Sequence, residues 1–499
     1  MLNLSPFHWR HVMFGALLGA LLFAPTLGAQ AAERYDALTP CELSALQGRV
    51  TTEALCGTLS VPENPNQTLD QADRVLDLAY AVLPARGTAL EDPVFFLAGG
   101  PGQAARDVAP MMRRALRDIH RNRDLIFLDQ RGTGGSNALN CVFDQATDGW
   151  LEPDPEAAIE QIDACRDEWD ADVRFYTSTD AARDIDQLRE HLGFEQINLI
   201  GGSYGTRMAQ VYMKQYPDRV RSAILDGVVP MRLALGAEHG PSLDRALEKL
   251  IAACSEDAAC QQAFPDLSDA FVELKNEYDS WTDGPRIQIT HPRLGEAIDI
   301  TFSRAVLATA LRFLAYDPST QMLLPYLIHE AATTGNPQRI AAQALMLSEQ
   351  MEDALALGLN FAVGCAEDWP QWPETQEAQQ TLLADSIGDL YAALCPDWPS
   401  TEVPADFNEP YSGDVPVLLL SGELDPVTPP GYGDEVDALT ENSLHLVANG
   451  RGHIVISIPC IARIAANFID QASVADLDTS CMDTLGPEPF FTDLLGPTP

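Results

Sequence analysis

Short apolar runs alternate along the chain with stretches in which apolar residues recur every three or four positions. The runs at 94–97, 125–128, 197–200, 223–225, 415–420 and 444–447 are mainly apolar, and each is followed by glycines or a polar turn. Strands buried on both faces of a parallel sheet have this composition, because neither side of the strand meets water. Segments of helical period lie between them, for instance 179–192 and 206–216. Alternating strand and helix predicts an α/β fold with a mostly parallel sheet. Earlier, 57–62 and 75–84 read as strands, the second alternating in strand fashion.

The alternation stops near 231 and resumes near 413. Helical spacing dominates between these points, at 243–254, 270–281 and 337–357, with one hairpin predicted from 287–290 and 297–302. A mainly helical insertion between two sheet strands is expected to form a cap over the strand ends. The expected organisation is therefore a core from 32–230, a cap over 231–412 and the closing part of the core at 413–499. No internal repeat is present, which argues against a solenoid.

Residues 1–31 stand apart from this pattern. Arg10, His8 and His11 give a weakly basic start, 13–27 is almost unbroken apolar, and Ala29-Gln30-Ala31 supplies a small-x-small cleavage pattern. This predicts a signal peptide. The run is shorter than the about 20 residues of a membrane-spanning helix, so cleavage is expected over retention as an anchor. Ten cysteines behind such a segment predict disulfides and export, to a periplasm or the medium. Sequential pairing (Cys41/Cys56, Cys141/Cys165, Cys254/Cys260, Cys365/Cys395, Cys460/Cys481) is the simplest arrangement, although sequence leaves the connectivity open. No Cys-x-x-Cys occurs and the nine histidines are scattered, so a zinc site is not expected.

The chain of 499 residues carries a formal charge of −42 and only three lysines, Lys214, Lys249 and Lys275. Such a balance repels nucleic acid and anionic membranes. Neither is expected as a partner of the mature chain, and a solvated acidic surface accounts for most of the charge.

The strongest chemical signal is Gly201-Gly202-Ser203-Tyr204-Gly205, which follows the strand at 197–200 and opens a helix. Glycines on both sides permit a strained strand-to-helix turn that lifts a serine hydroxyl out of the sheet as a nucleophile. A hydroxyl needs a base. His453 is the candidate, in the glycine-rich loop Asn449-Gly450-Arg451-Gly452-His453 beyond the last strand. Its acidic partner is expected to be Asp425, in Ser421-Gly422-Glu423-Leu424-Asp425-Pro426, with Asp226 as the rival at another strand end. Both keep the chain order Ser, Asp, His; the Gly- and Pro-rich turn favours Asp425. Oxyanion donors are expected from the N–H of Tyr204 and from Leu97-Ala98-Gly99-Gly100-Pro101-Gly102. That loop lacks the Gly-Lys-Ser/Thr ending of a phosphate-binding loop.

Together these segments resemble a known family. Gly99-Gly100-Pro101-Gly102, Asp129-Gln130-Arg131-Gly132-Thr133-Gly134-Gly135-Ser136, the turn around Ser203, and Asp425 with His453 are similar to the prolyl aminopeptidase and tripeptidyl aminopeptidase group of α/β-hydrolases. The paired cysteines and 415–481 resemble the tripeptidyl branch more closely. The resemblance implies an α/β-hydrolase fold with Gly100 as second oxyanion donor. It also implies a serine exopeptidase that releases proline or a short peptide from a free N-terminus. Ala98 stands where cytoplasmic prolyl aminopeptidases have a histidine, which suits the secreted branch. Asp129 and Arg131 are expected to be structural.

A free α-amino group is cationic near neutral pH, so carboxylates of the cap are candidates to bind it. Glu367 and Asp368, beside Cys365, are the expected pair. A carboxylesterase-type hydrolase with the same triad is the alternative function, since the triad chemistry does not separate esters from amides. No metal or organic cofactor is implied, and the oligomeric state is not legible.

Overall fold

The computed structural model describes residues 34–45, 50–141, 155–279, 284–373 and 378–497. The expected signal peptide at 1–31 lies outside the described residues. Among the described residues there are eleven strands: β1 Thr39–Ser44, β2 Thr51–Pro62, β3 Val75–Leu83, β4 Val94–Leu97, β5 Leu125–Leu128, β6 Ile197–Gly202, β7 Val220–Asp226, β8 Arg286–Thr290, β9 Ala297–Thr301, β10 Val417–Gly422 and β11 Ser443–Ala448. Nine of them form one sheet in the order β1-β2-β3-β5-β4-β6-β7-β10-β11.

The first three strands and β5 pair antiparallel, and every pairing from β5 through β4, β6, β7 and β10 to β11 is parallel. The apolar runs explain the parallel part: β4 and β5 are buried at every position, and Leu418, Leu419 and Leu420 are fully buried in β10. Helices cover both faces, as two-sided burial requires. β1 has no apolar run and was not expected. It is a largely exposed edge strand paired with β2, and the Cys41–Cys56 disulfide closes the pair.

Between β7 and β10 the chain is mainly helical, with helices at His239–Glu256, Leu267–Asp279, Arg304–Tyr316, Leu324–Thr334 and Gln338–Ala354 and the β8–β9 hairpin among them. Leu243, Leu247, Leu307, Leu311, Leu314, Ile328 and Ile340 form an apolar core of their own there. A later part of the segment, Leu357, Leu359 and Phe361, joins the core of the main sheet. Five disulfides join neighbouring cysteines in sequence order, Cys365–Cys395 within this helical segment. Among the described residues, no helix is long and apolar enough to cross a membrane.

Two buried charges brace the loops under the strand ends. Arg131 forms a two-point pair with Asp184 at 2.7 and 2.8 Å and donates to the carbonyls of Glu63 and Phe175. Asp129 accepts the N–H groups of Arg106 and Gly135. Both act on backbone geometry, and paired in this way they carry little net field.

Candidate active site

Ser203 stands between β6 and the helix Tyr204–Gln215 with φ 55° and ψ −125°. A non-glycine residue in that region is strained, and the surroundings must hold it there. They do so through backbone bonds: Ser203 N–H donates to the Asp226 carbonyl at 2.8 Å, and the Thr206 N–H and hydroxyl donate to the Ser203 carbonyl at 2.8 and 2.7 Å. The flanking glycines are a steric necessity. A Cβ at Gly201 would lie 2.3 Å from the Gly205 carbonyl oxygen, and one at Gly205 would lie 2.1 Å from that of Leu97.

The loop after β4 closes over this serine. A Cβ at Gly99 would meet Ser203 Cβ at 3.1 Å, a tight contact that glycine avoids. Gly100 follows at φ 107° and precedes a cis peptide bond to Pro101. Tyr204 is the first residue of its helix, so its N–H has no acceptor within the helix.

Asp425 and His453 come together across the ends of β10 and β11. His453 Nδ1 lies 2.8 Å from Asp425 Oδ2. The other carboxylate oxygen of Asp425 accepts the N–H groups of Val427 and Thr428 at 2.9 and 2.8 Å. Thr428 Oγ1 donates to Asp425 Oδ2 at 2.7 Å and lies 3.0 Å from His453 Nδ1. Asp425 is thus fully buried yet satisfied, and its bonds leave one direction for the imidazole. Burial pulls the His453 pKa down, but the charge and hydrogen bond of Asp425 outweigh it, so the net shift is upward from 6.5.

Asp226 is not the partner of His453. Its carboxylate accepts the N–H groups of Val455 and Ile456 at 2.8–3.0 Å and so ties down the loop that carries His453. Burial raises its pKa to about 6. Ser203 and His453 share neighbours here: Ser203 N–H bonds to the Asp226 carbonyl, and a Cβ on Gly227 would meet His453 Cε1 at 2.9 Å. Among the described residues Ser203 Oγ has no hydrogen-bond partner. His445 faces Asp434 and Ser421 on β10, away from this cluster.

Glu367 and Asp368 differ from the sequence expectation of an amine-binding pair open to substrate. Both are 1% exposed. Glu367 accepts the N–H and hydroxyl of Ser178 at 2.6 and 2.8 Å, and Ser178 Oγ in turn contacts the Tyr204 hydroxyl at 2.7 Å. Asp368 accepts from Arg207 at 2.8 Å and from the Leu235 N–H at 2.9 Å. Of the four carboxylate oxygens only Asp368 Oδ2 lacks a partner, and it too is sealed from solvent. The physical reason is Arg207, four residues after Ser203, whose fully buried guanidinium draws both carboxylates inward. Burial still raises Glu367 to about 7.

Arg207 and Thr428 were not expected at the site. An arginine one turn after Ser203, on the helix face that packs toward the core, was the available signal for the first. Among the described residues no group of three or more His, Cys, Asp or Glu could hold a metal ion.

The family described as "alpha/beta hydrolase fold" matches residues 92–263, which span β4 to the helix after β7 and include Ser203. The family described as "TAP-like protein" matches 382–481, which include Asp425 and His453. This chain is a serine hydrolase of the α/β-hydrolase fold. It is 26% identical over 455 residues to serine protease Hip1 of Mycobacterium tuberculosis, covering 84% of this hydrolase and 85% of that protein. It is 25% identical to the tripeptidyl aminopeptidase of Streptomyces coelicolor, over 73% of this chain and 71% of that one. A proline iminopeptidase of Arabidopsis thaliana is 30% identical across a shorter stretch, 28% of this hydrolase and 27% of the plant protein. The five disulfides fit an oxidising compartment.

Proposed function

We propose that this hydrolase is an exported serine exopeptidase that cleaves peptide bonds near a free N-terminus by an acyl-enzyme mechanism. The supporting observation is the strained Ser203 turn standing beside a buried Asp425–His453 pair 2.8 Å apart. Ser203 Oγ attacks the scissile carbonyl carbon, and His453 Nε2 takes the hydroxyl proton. The Nδ1–H of the resulting imidazolium stays bonded to Asp425, which stabilises the charge without accepting the proton. The tetrahedral oxyanion is stabilised by the N–H groups of Gly100 and Tyr204, at the head of a helix whose dipole favours negative charge. His453 then protonates the leaving amine, and water repeats the sequence to free the acyl product.

The choice of peptides rests on the names of the relatives, tripeptidyl aminopeptidase and proline iminopeptidase. Glu367 and Asp368, the pair expected to bind the amino group, are sealed from solvent against Ser178 and Arg207, so selectivity for a free N-terminus rests on the same names. Export rests on the paired cysteines and on the apolar leader at 1–31.

The test is a substrate panel with purified mature enzyme and Ser203→Ala as the blank. Prolyl and tripeptidyl arylamides with free N-termini should be cleaved, and their N-acetylated forms should not. Ester turnover with no cleavage of any arylamide would contradict the proposal.

A further inference from the structure

Among the described residues the fully buried arginines are neutralised, whereas a half-buried one beside the candidate active site is not. Arg131 pairs with Asp184, Arg207 with Asp368, Arg123 with Asp92 and Arg189 with Asp186. Arg312, half-buried on the helix Arg304–Tyr316, has no carboxylate within ion-pair distance among the described residues. Its Nη2 lies 3.0 Å from His239 Nδ1 and donates to the Tyr316 hydroxyl at 3.2 Å. Its buried Nε has no partner at all. The rings of Phe313 and Tyr316 flank it, each with its centroid 5.8 Å from the guanidinium carbon.

His239 cannot supply the missing charge. Its Nδ1 accepts from the guanidinium, which requires the neutral ring, and burial and the nearby cation hold its pKa well below 6.5. The arginine is also close to the reacting groups. The Tyr316 ring packs edge-on against His453 with centroids 5.3 Å apart, and the Tyr316 carbonyl accepts the His453 N–H at 3.0 Å. A shielded guanidinium with an unused donor is costly unless an anion joins it. In a chain with 73 acidic residues against 31 lysines and arginines, leaving this one unpaired calls for a ligand.

We propose that Arg312 is a specificity residue that binds a carboxylate of the substrate, on the part that leaves as the amine. The assignment rests on the serine-peptidase function proposed above. The carboxylate has two sources, the free C-terminus of a short peptide or an Asp or Glu side chain.

One neutral tetrapeptide separates these sources when assayed as the free acid, as the C-terminal amide, and as the amide with a terminal Glu. In the wild type the acid should exceed the neutral amide in kcat/KM by about tenfold or more, the size of a charge-assisted hydrogen bond in a shielded site, mostly through KM. The Glu amide shows whether a side chain serves equally. In Arg312→Gln the acid-to-amide ratio should fall toward one, and Arg312→Lys should keep part of it. Each ratio is measured within one variant, so a general loss of folded enzyme cancels. Wild-type ratios near one for both the acid and the Glu amide against the neutral amide, or an equal loss on charged and neutral substrates in Arg312→Gln, overturn the carboxylate role while Ser203 still reacts with a fluorophosphonate. Absence of both labelling and peptide cleavage would remove the peptidase function and this subsite with it.

Discussion

Replacing Arg207 with methionine exposes how the helix behind Ser203 is held. Arg207 is completely buried, 2.8 Å from Asp368 and 3.8 Å from Glu367, and it also donates to the Leu233 carbonyl. Methionine keeps much of the volume but leaves two buried carboxylates without a counter-charge. Breaking a buried pair from one side typically costs about 3–5 kcal/mol. The remaining partners, Ser178 for Glu367 and the Leu235 N–H for Asp368, soften the loss without neutralising charge.

Protonation offers the carboxylates an escape, so the cost must depend on pH. Glu367 already sits at about 7 when folded against 4.5 for the free side chain, because burial disfavours its charge. Between those values the folded state binds more protons than the unfolded one, so stability falls as pH rises. Without Arg207 the folded pKa values of both acids move higher, and the fall extends further up. Urea unfolding followed by tryptophan fluorescence at pH 5.5 and 8.5 should therefore show Arg207→Met destabilised at both, with the larger deficit at 8.5. Adding Glu367→Gln and Asp368→Asn should recover part of the alkaline deficit. A penalty below about 1 kcal/mol at pH 8.5, or one equal at both pH values, would refute the buried-charge account.

Three further outcomes follow from the site. Thr428→Val removes the hydroxyl bonded to Asp425 at 2.7 Å, and kcat should fall by about tenfold or more, the value of a hydrogen bond to a charged group. The acid limb of the kcat/KM profile should lie above pH 6.5, because the net shift of His453 is upward and the protonated ring cannot act as base; a limb below 6.5 would contradict this. Asp226→Asn loses an acceptor for the Val455 and Ile456 N–H groups and a negative charge that raises His453. Activity should drop and the acid limb should move down, whereas a drop with an unmoved limb would leave Asp226 only a scaffold role.

How much of this was legible in sequence depended on the range of the interactions involved. Strands β4 to β7 and β10 announced themselves because burial on both faces writes an apolar run into the chain. β1 did not, since an exposed edge strand needs no such run, and its partner and disulfide are set by tertiary pairing. The Ser203 turn was readable because its glycines answer a local steric demand at Gly201 and Gly205. Asp425 and His453 were readable as positions after strands. The separate task of Asp226, holding the N–H groups of Val455 and Ile456, was not, for two strand-end acids look alike until the loop folds over one of them. Glu367 and Asp368 read as an amine-binding pair of the cap, and only the packing of Arg207, far away in the chain, made them interior. Arg312 gave no sequence signal, because an unpaired charge is defined by what fails to surround it.

The catalytic assignment is tested most directly by trapping the nucleophile. Mature enzyme treated with a fluorophosphonate should gain one adduct by intact mass, and peptide mapping should place it on Ser203. Labelling should be absent in Ser203→Ala and slowed by orders of magnitude in His453→Ala, because the base that activates the hydroxyl is gone. An adduct on another serine, or labelling of Ser203 at an undiminished rate without His453, would contradict the account.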